Sequence, residues 1–278
     1  MIAPALPHGS NGSLPEAVTT QADPLEYVSV SRLKSFLSCR LRFYFEKVLA
    51  LPKPVSPALH FGKAIHAALQ AYNKARWRGG DTSENAILTA FQSAFAKPEG
   101  EVAWSDASEP LELRTKGDTL LRAFLGSGVH QATERPMGVE VAVHADIPAL
   151  ALPLFGILDL VDAGRRVTDY KTVASTPDLA LEAWLHETQT TAYGLLVEYT
   201  TEAPAVGTDL VFLVKTKAPK ILVHSVPPPS PVQRQRFTQL VEVYANAVAN
   251  EHYFPQPGQH CSWCPYREEC SAWKGGTP

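Results

Sequence analysis

The sequence predicts an α/β protein, and three observations support this prediction. Apolar residues recur every three or four positions in long segments before residue 126 and again after residue 176, which is typical of amphipathic helices. Short runs rich in Val, Ile and Leu lie between and after these segments and have the length of strands. A Gly-containing turn at residues 163–165 joins two of these runs as a β-hairpin. We therefore expect a sheet flanked by helices.

The chain length bounds the domain organisation. With 278 residues, the chain can form one large domain or two modest ones and can bury a substantial core. Residues 1 to about 25 are rich in Pro, Ser, Gly and Ala without periodicity, so we predict a disordered tail over residues 1–26. The remaining residues, 27–278, are predicted to form a single domain.

The helical segments have recognisable start and stop signals. Ser29 or Ser31 can cap the first helix, and Leu51-Pro-Lys-Pro54 ends it. Gly79-Gly80 ends the second helix, and Pro177 suits the first turn of a later one. We predict helices over Val28–Leu49, Leu59–Arg76, Ser83–Phe95, Leu111–Gly126, Thr176–Tyr199 and Ser230–Asn250, with a loop at residues 97–110.

The strand segments lie in the middle of the chain. A first strand begins near Met137, continues through Val143 and leads into the hairpin. The other predicted strands are Ile157–Val161 and Val167–Lys171, which form the hairpin, and then Asp209–Lys215 and Lys220–Val226.

The hairpin carries the most informative residues of the chain, Asp159, Asp169 and Lys171. If the hairpin is centred on Gly164, Asp159 lies opposite Asp169, and Lys171 points to the same face as Asp169. Directly opposed like charges destabilise a sheet, whereas a hard divalent cation between them can bind both carboxylates. The alternative is a pair of solvated aspartates at strand ends, since turns favour Asp. The flanking residues are too apolar for a fully exposed hairpin.

Charge and hydropathy narrow the class of protein. The net charge of −3 does not by itself indicate nucleic-acid binding. Basic residues are concentrated locally, although each such cluster is more typical of a solvated face than of a phosphate track. The first cluster contains one acid, Glu46, and five basic residues, which are Arg32, Lys34, Arg40, Arg42 and Lys47.

The hydropathy of the chain gives no sign of a membrane segment. The longest apolar run, Ile147–Leu158, is too short to cross a bilayer, and the N-terminus lacks the pattern of a secretory signal. We therefore expect an intracellular, cytoplasmic protein without membrane association.

The four cysteines are unevenly placed. Cys39 is alone near the start of the predicted domain, whereas Cys261, Cys264 and Cys270 form a Cys-x2-Cys-x5-Cys run near its end. In an intracellular chain, such a run indicates a metal or cluster site rather than disulfides. With Cys39 as the fourth ligand, the thiolates suit an iron–sulfur cluster and zinc equally well. His260 could replace Cys39 in a zinc site.

Four further residues are candidates for the same chemistry. His66 lies on a predicted helix with apolar neighbours, where a lone histidine is usually a core or boundary residue. Gln189 and Tyr193 are four residues apart on a later helix and so share a face. Glu140 lies in the strand before the hairpin and could reach the acidic centre of the hairpin.

Taken together, these motifs resemble the PD-(D/E)xK nuclease superfamily. The resemblance is to its RecB-like branch with a cysteine-bound iron–sulfur cluster, which includes CRISPR-adaptation nucleases, and it extends from about Val28 to Trp273. Arg40 stands where a proline is common in that branch, and Asp169 replaces a common Glu, a variant that the branch accepts. The motifs that match in order are Ser29 to Cys39, Gly62-x3-His66, Gly156-x2-Asp159, Asp169-Tyr-Lys171, Gln189-x3-Tyr193 and the triplet Cys261, Cys264 and Cys270.

The resemblance implies a fold and its cofactors. The expected fold is a restriction-endonuclease-like mixed central sheet flanked by helices, with an iron–sulfur cross-link between residues 27–60 and 251–274. It favours a [4Fe–4S] cluster over zinc at the four-cysteine site. The implied ligands of the cluster are Cys39, Cys261, Cys264 and Cys270, and those of a Mg²⁺ or Mn²⁺ ion are His66, Asp159, Asp169 and the backbone carbonyl of Tyr170. Lys171 would act on the attacking water and the phosphate, while Gln189 and Tyr193 would position the strand or the lysine.

The implied activity is metal-dependent DNA hydrolysis, as an exonuclease on single strands or duplex ends in recombination, repair or phage DNA metabolism. Three alternatives stay open: a spacer-processing subunit of CRISPR adaptation, a non-catalytic nucleic-acid-binding iron–sulfur subunit, and a structural protein held by zinc. The intact Asp159, Asp169 and Lys171 argue against a non-catalytic subunit. The chain has no Gly-x4-Gly-Lys-Ser/Thr phosphate loop, so unwinding would need a separate helicase, and an integrase would accompany a CRISPR role.

Overall fold

The computed structural model describes residues 23–129 and 136–275. Most of the predicted tail, residues 1–22, lies outside the described residues. Within the described ranges, six strands form one mixed sheet, and helices cover both of its faces. The α/β class and the mixed central sheet predicted for this chain are therefore confirmed.

The sheet is built around β3, which pairs with three other strands. It runs antiparallel to β2 and β4 and parallel to β1. The sheet then continues through a parallel pair, β4 and β5, and an antiparallel pair, β5 and β6. The strands are β1 (Val28–Ser29), β2 (Pro136–Ala145), β3 (Leu154–Asp162), β4 (Arg166–Val173), β5 (Gly207–Val214) and β6 (Lys220–Val226).

The helices begin largely where their caps predict. The side chains of Ser56, Ser83 and Ser230 each accept a backbone N–H at the first turn of a helix. The helices are α1 (Val30–Ser38), α2 (Arg40–Phe43), α3 (Pro57–Arg78), α4 (Glu84–Phe95), α5 (Glu109–Gly126), α6 (Leu179–Leu185), α7 (Glu187–Thr201), α8 (Pro231–Ala249) and α9 (Arg267–Ala272), with a π-helical turn at Tyr44–Val48 and a 3₁₀ turn at Gln259–Trp263. None of the helices in the described ranges is long and apolar enough to cross a membrane.

The prediction of one helix from Val28 to Leu49 was wrong in two respects. Its first two residues form β1, and the helix is interrupted at Cys39, which has extended backbone angles (φ −164°, ψ 116°). The interruption is stabilised by contacts with the C-terminal segment. The N–H of Arg40 donates to Gln256 Oε1 at 2.9 Å, and the N–H of Leu41 donates to the carbonyl of Phe254 at 3.1 Å. These two N–H groups therefore find partners outside the helix.

The predicted helix from Thr176 to Tyr199 is also two helices. Asp178 caps α6 by accepting the N–H groups of Ala180 and Leu181, so Pro177 precedes the cap and does not start the helix. His186 (φ −100°, ψ 5°) then separates α6 from α7.

The hairpin register was predicted correctly, but its ladder is shorter than expected. Leu160 pairs with Thr168 and Val161 pairs with Val167, so the hairpin is centred on Gly164. The β3–β4 pairing ends there, before Asp159 and Asp169. The N–H of Tyr170 donates instead to Asp159 Oδ2 at 2.9 Å, so a side chain takes the place of a backbone partner.

Two hydrophobic clusters place the helices on the sheet. Helices α1, α7 and α8 pack on one side with Leu158, Val161 and Val167. Helices α3, α4 and α5 pack on the other side with Tyr170 and Val211. The polar centre of the hairpin thus lies between helices that come from both sides of the sheet.

We expect Gly117→Ala to destabilise the protein by about 1–3 kcal/mol. Gly117 is buried in α5, and a Cβ there would overlap three ring atoms of Phe91. In an open helix, Gly to Ala stabilises by up to about 1 kcal/mol, so overpacking must exceed this gain. Gly126→Ala in the same helix meets no atom within 4 Å and serves as the matched control. Urea unfolding of the two variants tests the prediction, and a Gly117→Ala protein as stable as Gly126→Ala would contradict it.

Candidate active site

The structure brings the predicted catalytic residues to one place. Asp159 comes from the middle of β3, and Asp169 and Lys171 come from β4. His66 projects from α3 on one side of the sheet, and Gln189 and Tyr193 project from α7 on the other. The contacts below connect these side chains in two groups, one around each aspartate.

The first group is held by Asp159. His66 Nδ1 lies 3.3 Å from Asp159 Oδ1, while the N–H of Tyr170 donates to the other carboxylate oxygen. Burial lowers the pKa of His66, but the hydrogen bond and charge of Asp159 outweigh burial, and the pKa of His66 is raised above its ordinary value. His66 is therefore not the lone core histidine of the alternative interpretation. Its side chain is 32% exposed and faces a carboxylate.

The second group is held by Asp169, which is almost completely buried. Gln189 Nε2 donates to Asp169 Oδ1 at 2.9 Å, and Lys171 Nζ lies 2.7 Å from Oδ2 as an ion pair. In the described part of the chain, this ion pair is the polar contact that Oδ2 makes, and no second donor reaches this buried oxygen. Burial raises the pKa of Asp169, and the charge of Lys171 opposes that rise.

Gln189 connects the lysines to the acid. Its Oε1 accepts from Lys171 Nζ at 3.2 Å and from Lys34 Nζ at 3.4 Å. Its Nε2 donates to Tyr193 OH at 2.8 Å, as the predicted shared helix face allows. Burial and the nearby charge of Asp169 raise the pKa of Tyr193, so its hydroxyl stays protonated.

Lys34 is a residue of this site that the sequence did not single out. It lies on α1, and burial, followed by the charge of Lys171, lowers its pKa. The available signal was its membership of a basic cluster, which is more typical of a solvated helix face.

Gly156, in the predicted Gly-x2-Asp motif, allows α7 to approach β3. A Cβ at this position would lie 2.6 Å from Leu196 Cδ1 and 3.8 Å from Tyr193 Cε1. A larger residue would push α7 away from the sheet, because packed interiors have little spare volume. The glycine therefore helps to place Gln189 and Tyr193 beside Asp169.

Glu140 also borders the centre, as the sequence suggested. In β2 it stands between Val139, the partner of Leu160, and Val141, the partner of Leu158, and therefore opposite Asp159. Burial and then the charge of Asp159 raise the pKa of Glu140. Its backbone φ is +50°, which is unusual for a residue with a Cβ in a strand. Such strain persists where the surrounding structure imposes it, often at a functional site.

The side chains of Asp159, Asp169 and His66 carry the donor atoms that a divalent cation uses, although protein groups already engage them. Among residues 23–129 and 136–275, no three His, Cys, Asp or Glu side chains are grouped so that they could hold a metal ion as they stand. Asp159 and Asp169 are occupied by protein donors on three of their four oxygens. The fourth, Asp169 Oδ2, is buried with the Lys171 ammonium 2.7 Å away, and its second lone pair has no donor in the described ranges and is available to a cation. The donor set of two carboxylates and one imidazole fits Mg²⁺ or Mn²⁺.

The four cysteines line one cavity of about 230 Å³, between the Cys39 interruption and the C-terminal segment. All four are free thiols. The N–H of Gln256 donates to Cys39 Sγ and that of Gly258 to Cys261 Sγ, both at 3.5 Å. Burial raises the pKa of Cys270. His260 lines the same cavity, and its Nε2 is buried without a hydrogen-bond partner in the described ranges.

Comparison with known proteins gives one family and one fold. The sequence profile of the PD-(D/E)XK nuclease superfamily matches residues 27–271. A crystal structure from Eubacterium rectale, of a protein provisionally named an exonuclease, has a TM-score of 0.59 and 16% identity and covers 97% of this chain and 96% of its own. That of SSO0001 has a TM-score of only 0.36 and 14% identity, over 87% of this chain and 93% of its own. No curated protein sequence matches.

Proposed function

The chain belongs to the PD-(D/E)XK nuclease superfamily, and on this premise we propose that it is a metal-dependent DNA exonuclease that acts on single strands or DNA ends. The observation that carries the proposal is the convergence of Asp159, Asp169 and Lys171 at the point where β3 and β4 separate. Two carboxylates and an ammonium group at one centre match the requirements of phosphodiester hydrolysis. The E. rectale structure supports the fold of this proposal.

We propose that Asp159 and Asp169 hold a Mg²⁺ or Mn²⁺ ion, with His66 and the backbone carbonyl of Tyr170 as further ligands. The buried Asp169 Oδ2, whose one polar partner in the described ranges is the Lys171 ammonium, supports this assignment because it keeps a lone pair for a cation. An imidazole ligand suits Mn²⁺ better than Mg²⁺. When bound, such an ion supplies Lewis acidity to the phosphate and to the attacking water.

The roles of the chain's own residues follow from their contacts. Lys171, held by Asp169 and Gln189, presents a positive charge that stabilises the negative charge developing on the phosphate and orients the attacking water. Gln189 and Tyr193 act as positioning residues, because they hold Asp169 and the lysine through α7.

We propose in addition that the four cysteines hold a [4Fe–4S] cluster with a structural role. All four thiols line one cavity, and two backbone N–H groups already donate to cysteine sulfurs, as they do around cluster ligands. Zinc is the second candidate, because the unpartnered His260 Nε2 lines the same cavity and could be a fourth ligand.

A cleavage assay tests the nuclease proposal. The protein, purified without oxygen, would be incubated with end-labelled single-stranded and double-stranded DNA and either Mn²⁺ or Mg²⁺. We expect metal-dependent degradation, and the position of the surviving label gives the polarity. Intact protein that binds the DNA but never cleaves it would contradict the proposal.

Glu140 offers a test of the strained backbone beside the centre. Since φ is positive at Glu140, Glu140→Gly should raise the free energy of unfolding by about 1 kcal/mol. We propose that the Glu140 charge helps to attract the divalent ion, so the same variant should need more Mg²⁺ for half-maximal cleavage, with activity about tenfold lower at limiting Mg²⁺.

Glu140→Gln is the matched control for that prediction. It removes the charge and keeps the side-chain size and the backbone strain, so it should lose activity in the same way without gaining stability. Denaturant unfolding and Mg²⁺ titration of the cleavage rate measure both quantities. A Glu140→Gln protein with the Mg²⁺ dependence of the wild type would show that the charge has no such role.

A further inference from the structure

A pocket of about 530 Å³ opens beside the active site, between α1, β3 and α7. Gln189 and Tyr193 form part of its wall, so it is continuous with the catalytic centre. This volume falls within the range of small-ligand sites. The roles assigned above to His66, Asp159, Asp169 and Lys171 leave the pocket unexplained.

One end of the pocket is cationic. Lys34 Nζ lies 3.4 Å from Gln189 Oε1, the same oxygen that accepts from Lys171. The two lone pairs of that oxygen accept both ammonium groups, and in the described chain Lys34 forms no ion pair with a carboxylate. Two neighbouring ammonium groups repel each other, and burial and Lys171 together lower the pKa of Lys34. An anion bound between the lysines would relieve this repulsion.

The rest of the pocket has an apolar and aromatic wall, next to two serines and two further cations, Arg32 and Lys47. The Arg32 guanidinium lies 3.8 Å from the centroid of the Tyr27 ring, which belongs to that wall. Tyr27 and Phe155 lie in ring contact, with centroids 5.1 Å apart. Ile157 also lines the pocket, and it is 45% exposed although it lies in a central strand. An exposed apolar wall next to a cation is the complement of a nucleotide, which joins an apolar base face to an anionic phosphate.

We propose that this pocket binds the nucleotide adjoining the scissile phosphate of a single-stranded nucleic acid, with Lys34 on its phosphate and the wall of Tyr27, Phe155 and Ile157 against its base. The inference rests on the proposed nuclease function and adds a substrate subsite to it. A base enclosed in a pocket cannot be paired, so the subsite selects unpaired strands or frayed ends over intact duplex. Lys34 is then a substrate-binding residue in addition to those that the sequence predicted.

The test is the affinity for a short labelled oligothymidylate, measured by fluorescence anisotropy without divalent ions so that no cleavage occurs. We expect Lys34→Met to weaken binding about tenfold, since one charge-assisted contact to phosphate is lost. The slope of log affinity against log salt should fall by about 0.7, the value for one phosphate contact on a single strand. Lys34→Arg, which keeps the charge, should restore most of the affinity.

Lys116→Met is the matched control. Lys116 is an exposed lysine on α5 that pairs with Glu112, so its loss makes the same change in net charge away from the pocket. Ile157→Glu provides a second test, because an exposed position tolerates the change while the new charge repels the phosphate. It should also weaken binding, with the unfolding midpoint little changed.

The outcomes separate the subsite from the nuclease proposal. If Lys34→Met binds the oligonucleotide with the affinity and salt slope of Lys116→Met, the subsite is wrong even when the wild type cleaves DNA. If the wild type binds a pre-formed duplex as tightly as the single strand, the inference is also overturned. A wild type that never cleaves, but whose binding depends on Lys34 as described, would overturn the nuclease function and support the subsite.

Discussion

Lys171→Ala is expected to lower DNA cleavage by at least about 10³-fold while the protein stays folded. Lys171 supplies the positive charge that pairs with Asp169, and Asp169 and Gln189 hold its ammonium group in place. Loss of a pre-oriented group that stabilises transition-state charge typically costs 10²- to 10³-fold, and loss of a group that also acts on the nucleophile costs more. The measurement is the rate of release of label from single-stranded DNA at saturating Mn²⁺.

Two variants control this experiment. Lys116→Ala removes an exposed lysine of α5 and should keep the wild-type rate. Lys171→Arg keeps the charge but replaces a compact ammonium with a planar guanidinium, so it should stay folded and remain mostly inactive. If Lys171→Ala retained a rate within tenfold of the wild type, the catalytic role assigned to Lys171 would be wrong.

The folding of Lys171→Ala follows from the chemistry of Asp169. Removal of one partner from a buried ion pair is costly when the remaining charge cannot be relieved. Here Asp169 keeps its hydrogen bond from Gln189, and its pKa is already raised by burial. Without the ammonium it takes up a proton more readily and becomes neutral. We therefore expect a modest loss of stability and a native circular dichroism spectrum, and global unfolding would contradict this explanation.

The central part of the site could be predicted from the sequence because it depends on local geometry. The alternation of side chains in strands and a glycine turn place Asp169 and Lys171 on one face and set the register against Asp159. Helical spacing likewise places Gln189 and Tyr193 together. None of these relations requires knowledge of distant contacts.

The helix break at Cys39 could not be predicted because its cause is not local. Apolar residues at helical spacing continue through Cys39, and only the bonds from Arg40 and Leu41 to residues more than two hundred positions away stop the helix there. The break at His186 has no proline or glycine beside it. Helical periodicity shows only which residues would share one face of a helix. Tertiary hydrogen bonds can interrupt the helix while the sequence pattern stays the same.

Lys34 was missed for a related reason. A lysine on an amphipathic helix is usually solvated, and no spacing rule connects it to Gln189, which is 155 residues away. Only the packing of α1 and α7 around the same pocket brings the two side chains together. Substrate contacts that depend on the packing of distant elements are therefore the part of the site that the structure adds.

Cys270→Ser is expected to lower the free energy of unfolding by about 2–5 kcal/mol, or to make the protein insoluble. The proposed cluster joins Cys39, which packs in the same hydrophobic cluster as Val161 and Val167 of the hairpin, to the C-terminal segment. Helix α9 in that segment has only six residues and no buried side chain. A covalent link that closes so long a loop is typically worth this much. Without it, the segment keeps the buried Tyr266, whose hydroxyl donates to the carbonyl of Leu51 at 3.0 Å, and the bonds of Phe254 and Gln256 to the α1–α2 junction.

Colour, bound metal and thermal unfolding measure this effect, with Ser262→Ala as control because Ser262 is exposed between two of the cysteines. We expect the wild type and the control to be brown and to contain iron, and Cys270→Ser to be colourless and less stable. A colourless, zinc-containing wild type that loses its zinc in a His260→Ala variant would replace the cluster with the zinc site. A colourless Cys270→Ser protein that is as stable and active as the wild type would exclude a structural role for either metal. The N–H of Gln256 donates to Cys39 Sγ, and its Oε1 accepts from the N–H of Arg40. Loss of the cluster should therefore first disorder the junction between α1 and α2. The pocket that contains Lys34, which lies on α1, should become disordered next.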